Sequence, residues 1–129
     1  MPVFTRNIRI FNPRNGRARE MTAVIDTGSD LCQIPETLAA DLDIIVSGYV
    51  DTRIASGEIM YEPTGNIGVE FDQYSIYTTT SIGPEDAPVI LGAIALAQMG
   101  LGVDPVEERL IPRILYLLMT TPASGGPTI

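Results

Sequence analysis

Ala23-Val24-Ile25-Asp26-Thr27-Gly28-Ser29-Asp30 is the stretch on which the reading of this chain turns. Three apolar residues run up to a carboxylate, a hydroxyl, a glycine and a second hydroxyl, the pattern of a strand that breaks into a tight turn. An aspartate pressed against Val24 and Ile25 sits at the edge of a core, where its charged form is costly unless a partner meets it. Thr27 and Ser29 carry hydroxyls able to donate to that carboxylate or to lock nearby backbone. Gly28, with no Cβ, permits a sharp turn and the close approach of another group. A surface Asp-x-Gly turn is the plain alternative. The apolar run before the turn and its companions downstream favour a site built on Asp26.

The residue types present narrow the chemistry. The 129-residue chain has no histidine, no lysine and one cysteine, and its formal charge is −8. Without histidine, Ser-His-Asp and Cys-His mechanisms are closed, as is a histidine-ligated zinc. Cys32 has no second cysteine to bridge within the chain and, after Leu31, reads as a small buried hydrophobe. The negative charge disfavours nucleic acid and anionic membranes, and neither is expected as a partner. Carboxylates, hydroxyls, tyrosines and arginines remain, and carboxylate chemistry calls for no metal or other cofactor. Met1 to Ile10 lacks an apolar leader pattern, and Ile114-Leu115-Tyr116-Leu117-Leu118-Met119 is a strand's length of apolar chain, not a bilayer's. A cytoplasmic protein is expected. The composition, 45% hydrophobic, fits one folded domain over residues 1–121, with a Pro/Gly/Ser-rich flexible tail over 122–129.

Taken in order, the chain predicts many short strands. Val3 to Phe11 and Arg17 to Ile25 flank Asn15-Gly16, a strong hairpin signal. Leu31 to Ile34 forms a short strand, and Pro35 opens a helical turn to Leu42 as its first residue. Tyr49 to Ile54, the turn Ala55-Ser56-Gly57-Glu58 and Ile59 to Glu62 make a hairpin with a small tip; such a tip is either an ordinary surface turn or an element able to close over a groove. Strands follow at Asn66 to Phe71 and Tyr74 to Ser81. Val89-Ile90-Leu91-Gly92 is a continuous apolar run, which suggests a strand buried on both faces. Ala93 to Met99 is helix-prone with Gly100 as its stop. A second hairpin covers Leu101 to Pro112, and Arg113 to Thr120 reads as a last strand. The fold class is all-β with two short helices.

Asp-Thr-Gly after an apolar strand is the form in which aspartic proteases present a catalytic carboxylate. Their chemistry uses two carboxylates sharing one proton, one acting as base on a water while the other, protonated, polarises the peptide carbonyl. This chain offers one such aspartate, since Asp51-Thr52 runs into Arg53 and Asp104 into Pro105. Two copies related by a two-fold axis would complete the pair. The chain resembles the retropepsin-type aspartic proteases, the single-lobed homodimeric group of retroviral enzymes with bacterial and archaeal relatives. The resemblance spans roughly residues 4 to 104 and rests on Asp26-Thr27-Gly28-Ser29-Asp30, on Ala55-Ser56-Gly57-Glu58, and on Ile90-Leu91-Gly92 followed by a helix. It implies a closed β-barrel, one lobe per chain, and an extended peptide or protein substrate. Asp26 would be the general acid/base, and Thr27 would bond across the dimer axis. The Gly28 backbone would bind substrate and Ser29 would hydrogen-bond the Asp26 carboxylate. Residues 55–58 would be the flap, and Ile90, Leu91 and Gly92 would support the active-site loop.

The chain departs from that family in places. Retroviral enzymes carry an arginine directly after the apolar-apolar-Gly signature, paired with the acid that corresponds to Asp30; here Ala93 stands there. Arg9, at the spacing of a second family arginine, is placed to supply the charge instead. The flap holds one glycine, and the chain runs well past Gly100. Two other readings compete. An Asp-x-Gly-Ser phosphate loop of the actin-like ATPase kind needs two α/β domains and far more chain. A retropepsin-like dimerisation or peptide-binding module without activity differs from the enzyme only in whether Asp26 works.

Overall fold

A computed structural model describes residues 4–118. β1 (Phe4–Phe11) and β2 (Ala18–Ile25) form an antiparallel hairpin in register from Phe4 opposite Ile25 to Phe11 opposite Ala18. Its turn is closed by the Gly16 N–H donating to the Asn12 carbonyl at 2.9 Å, with Gly16 in the left-handed region at φ +77°. Alternation places Ile8 and Ile10, then Ala23 and Ile25, on one buried face.

β3 (Cys32–Pro35) leads into α1 (Glu36–Asp41), so Pro35 is the cap residue before the helix and not its first turn. Next come β4 (Gly48–Arg53), β5 (Ile59–Phe71) and β6 (Tyr74–Gly83). The stretches Ile59–Glu62 and Asn66–Phe71, read from sequence as two strands, are one strand of 13 residues. Its first half pairs with β4; its second half pairs with β6 along its length and with β1 from Gly68 to Glu70. β7 (Ile90–Leu91) is shorter than expected and lies between β2, to which it runs parallel, and β3. α2 (Ala93–Gln98) ends at Met99, followed by Gly100 at φ +70°, the glycine stop that the sequence indicated. β8 (Leu101–Asp104) and β9 (Arg109–Pro112) form a separate two-stranded sheet.

The main sheet runs β1-β2-β7-β3-β6-β5, and β5 returns to β1, so the strands close into a ring with β4 outside it. Closure demands close approach. A Cβ on Gly68 would lie 2.1 Å from the Phe11 ring, which covers that position. The ring encloses Ile10, Ile25, Ile34, Ile67, Leu91 and Leu96, all fully buried. The expected all-β barrel with two short helices is therefore what forms. The expected strand at Arg113–Thr120 is not: residues 113–118 belong to no strand, and residues 119 and 120, like the expected tail 122–129, lie outside the described residues. An apolar run of that length needs a neighbour to pair with before it becomes a strand.

Candidate active site

The Asp26 loop hangs between the ends of β2 and β3, with β7 threaded between them. The Asp26 N–H donates to the Leu91 carbonyl at 3.1 Å, extending the β2–β7 pairing by one residue and fixing where the aspartate leaves the sheet. The loop then folds on itself. The Ser29 N–H donates to the Asp26 carbonyl at 3.2 Å, the Gly28 N–H donates to Asp26 Oδ1 at 2.9 Å, and the Ser29 hydroxyl reaches Oδ2 at 3.4 Å. Both carboxylate oxygens thus accept from the same loop, which orients a half-buried carboxylate without surrounding it.

α2 takes up the far side. The Ala93 N–H donates to the Ser29 carbonyl at 2.7 Å and the Ile94 N–H to the Asp30 carbonyl at 3.0 Å, so amides at the start of this helix hold the loop. Gly92, just before them, passes so near the loop that a Cβ there would stand 2.3 Å from the Leu31 carbonyl oxygen and 2.7 Å from that of Ser29. The Gly92 N–H also serves Cys32, the buried thiol at the start of β3, while burial pushes that thiol's pKa up by the larger effect. Cys32 is the small buried hydrophobe that the sequence suggested.

The structure thus gathers Asp26, Gly28, Ser29 and Asp30 with Leu91, Gly92 and the first turn of α2. Leu91 is fully buried in the ring. Ile90, half-buried on the same short strand, is paired opposite Val24 and Gln33. Thr27 is exposed and lines a groove of about 590 Å³ with Gly102, Val103, Pro105, Ile111 and Arg113. This groove was not foreseen: the sequence marked Leu101–Pro112 as a hairpin, but nothing in local pattern ties that hairpin to the Asp26 loop.

Ala55, Ser56, Gly57 and Glu58 form the exposed tip of the β4–β5 hairpin, away from the ring. The tip is held from within. The Ile54 N–H donates to the Glu58 carbonyl at 3.0 Å, the Gly57 N–H to the Ile54 carbonyl at 2.8 Å, and Arg53 Nη1 to the Gly57 carbonyl at 2.8 Å. At the root of this hairpin the buried Ser81 hydroxyl bonds the Glu62 carboxylate, a pair not anticipated from sequence. Arg9 does not replace the arginine missing after Gly92. Its guanidinium pairs with Glu70 at 2.6 Å and lies over the Phe11 ring, because β1 and β5 are neighbours in the closed ring. The Asp30 side chain is exposed and makes no ion pair among the described residues.

No family model matches the sequence, and no curated protein matches it. Among solved structures the chain is similar to EIAV protease complexed with the inhibitor HBY-793, with a TM-score of 0.56 and 17% identity over 75% of this chain and 88% of that one. A retropepsin-like aspartic protease from Rickettsia conorii overlaps with a TM-score of 0.49 and 16% identity, over 79% of this chain and 87% of that one. At such identity the first match speaks to architecture alone: this chain has a retropepsin-like fold.

Proposed function

We propose that this chain is an aspartic endopeptidase in which two Asp26 carboxylates, one from each protomer of a homodimer, activate a water against a peptide bond. The observation that carries the reading is the Asp26 carboxylate itself. It sits on a loop fixed from three sides, with Oδ1 and Oδ2 each accepting from that loop, in a retropepsin-like fold that offers one such loop per chain.

The chemistry follows from the pair. Two carboxylates at close range hold one proton between them, because like charges there do not both ionise. The ionised partner takes a proton from water as the oxygen attacks the peptide carbon, and the protonated partner donates to the carbonyl oxygen. Collapse of the tetrahedral adduct then delivers a proton to the leaving nitrogen and frees a new carboxyl and a new amine. In this reading Thr27 bonds across the two-fold axis, and the Gly28 backbone and Asp30 meet an extended peptide that adds like a strand. Residues 55–58 close over it as the flap, with Ile54 and Ile90 as apolar walls that favour apolar side chains around the scissile bond. Residues 1–121 act as one such domain, in the cytoplasm, where the lone cysteine stays reduced. Among the described residues no helix is long and apolar enough to cross a membrane.

The test is cleavage of a mixed peptide library over a series of pH values that includes pH ~4–6. Wild-type protein should cleave, and Asp26→Asn should lower the rate by at least ~10³-fold with an unchanged circular dichroism spectrum. A wild-type dimer that cleaves nothing and binds no statine-type transition-state inhibitor would remove the endopeptidase assignment.

A further inference from the structure

Residues paired across neighbouring strands share a face of the sheet. Val24 stands opposite Ile90, Ile90 opposite Gln33, Gln33 opposite Ser81, and Ser81 opposite Thr64. Their chain neighbours Ile25, Leu91, Ile34 and Ile82 are buried inside the ring, so this row runs along its outer face. Asp26 lies two residues beyond Val24, and Glu62 two residues before Thr64. Both carboxylates therefore belong to that face, at opposite ends of one row of side chains. The row is apolar at Ile90 and turns polar beyond it. Gln33 donates its Nε2 to the Pro88 carbonyl at 2.9 Å, which leaves its Oε1 as an acceptor. The buried Ser81 hydroxyl donates to Glu62 Oε2. Among the described residues no arginine pairs with Glu62, and no side-chain oxygen is both buried and unpartnered, so Oε1 is open to solvent.

We infer that Glu62 determines specificity by taking the cationic group of a basic residue two places from the scissile bond. The inference rests on the endopeptidase reading given above. It deepens that reading by naming the substrate class: peptides with an apolar residue at the bond and an arginine or lysine two residues away. The polar part of the row offers acceptors, Gln33 Oε1 and Glu62 Oε1, while its hydroxyl donor is already engaged. A guanidinium is the complement, with five donors and no acceptor. The spacing agrees. Ile90 and Ser81 are two strand steps apart, ~10 Å, and same-side residues of an extended peptide are ~7 Å apart. A peptide residue seated at Ile90 thus places its next same-side neighbour between Gln33 and Ser81, and a long basic side chain covers the remaining distance to Glu62. A bound peptide also shuts water away from Oε1. An apolar side chain there leaves that oxygen unpaired, and an acidic one sets like charges together. The Ser81 hydroxyl holds the carboxylate in place before the peptide arrives. The chain's charge of −8 draws cationic peptides from a distance, but that attraction selects no position along the peptide.

The test follows cleavage by the full chain of capped octapeptides built around a central pair of leucines. They differ only two places before the scissile bond, where they carry arginine, norleucine or glutamate. Wild type should cleave the arginine peptide with ~10-fold higher kcat/KM than the norleucine peptide, an advantage carried by KM that shrinks in high salt. The glutamate peptide should be the poorest. Glu62→Gln keeps an acceptor for the Ser81 hydroxyl and should bring the arginine-to-norleucine ratio close to one. Glu20→Gln, the same charge change at an exposed position on β2, should leave the ratio as in wild type. Equal ratios in wild type and Glu62→Gln overturn the assignment and leave the endopeptidase reading standing. A loss of ratio shared by Glu20→Gln overturns it in favour of overall charge. A fall in rate that is equal for all three peptides in Glu62→Gln overturns it in favour of a purely structural pair with Ser81. If wild type cleaves nothing, here or in the peptide library, the endopeptidase reading falls, and fluorescence anisotropy with labelled forms of the same peptides decides the inference separately. Binding of the arginine form ~10-fold tighter than the norleucine form, and levelled by Glu62→Gln, keeps it; equal or absent binding overturns it.

Discussion

The Asp26 loop and the tip of the β4–β5 hairpin are both glycine-bearing turns between strands, and they are held in opposite ways. The loop is fixed by what surrounds it: Leu91 receives the Asp26 N–H, and Ala93 and Ile94 donate to the Ser29 and Asp30 carbonyls. The tip is fixed by its own residues, through Ile54, Gly57, Glu58 and Arg53. Two glycines show the contrast. Around Gly92 the backbone of Ser29 and Leu31 occupies the space of a side chain, whereas around Gly57 nothing stands within 4 Å. A carboxylate that must meet a partner at fixed distance needs neighbours that cannot yield, and an element that admits a peptide must lift away at little cost. The difference in packing matches the difference in proposed duty.

The strongest way to break this contrast is Gly92→Ala. The obstructing atoms are backbone, not the ends of flexible side chains, so the loop or the start of α2 must shift. We expect ~3 kcal/mol of lost stability, seen as a fall in melting temperature of several degrees, and loss of cleavage even where the protein remains folded. A melting temperature within a degree of wild type would show that the loop is not clamped here.

Ser81→Ala comes next and asks where the hairpin is held. Removing the hydroxyl leaves the half-buried Glu62 carboxylate without its donor and should cost ~1–2 kcal/mol in chemical denaturation, while Glu62→Gln, which can still accept, should cost less. Equal losses from the two variants would mean that the pair does not set the hairpin's root. Gly57→Ala should cost less again. Its φ of +89° disfavours any side chain by ~1 kcal/mol, but the tip is open. Any loss of global stability should stay within that amount, and the change should appear mainly in KM for peptide. A fall in stability equal to that of Gly92→Ala would erase the distinction between loop and tip.

How far these features could be read from sequence follows the range of the interactions behind them. The β1–β2 hairpin was legible because Asn15-Gly16 and the alternation of Ile8 and Ile10 are local signals. The Asp26 turn was legible for the same reason, as was the end of α2 at Gly100. The continuity of β5 was hidden, because Pro63 and Gly65 read locally as a break. Pairing with β4 on one side and β6 on the other carries the strand through them. Arg9 finds Glu70, 61 residues away, and only closure of the ring decides that. Gly92 was recognised by resemblance, but the reason it must be glycine is the path of Leu31, a tertiary fact. Arg113–Leu118 has the residues of a strand, yet past the Arg113 N–H, which donates to the Gly100 carbonyl, residues 114–118 pair with none of the sheet edges.

Cys32 supplies the finest probe of the same contrast, because it lies under the loop and not in it. Its thiol is 2% exposed and shares the Gly92 N–H. Burial disfavours the thiolate, and raises the pKa further than that one donor lowers it. Below the ordinary thiol range both folded and unfolded chains keep the proton, and the full contribution of this buried group stands. As pH rises, the unfolded chain releases its proton first, so stability declines until the folded thiol's raised pKa is passed. Wild type should therefore lose more stability than Cys32→Ala between pH ~8 and ~10 in urea titrations. Alkylation of the native protein should likewise be limited by opening of the loop and slowed by Gly92-side contacts, so Gly92→Ala should accelerate it and Gly57→Ala should not. If both glycine variants quicken alkylation alike, the floor of the Asp26 loop and the hairpin tip open together, and the proposed division between a fixed carboxylate and a movable cover does not hold.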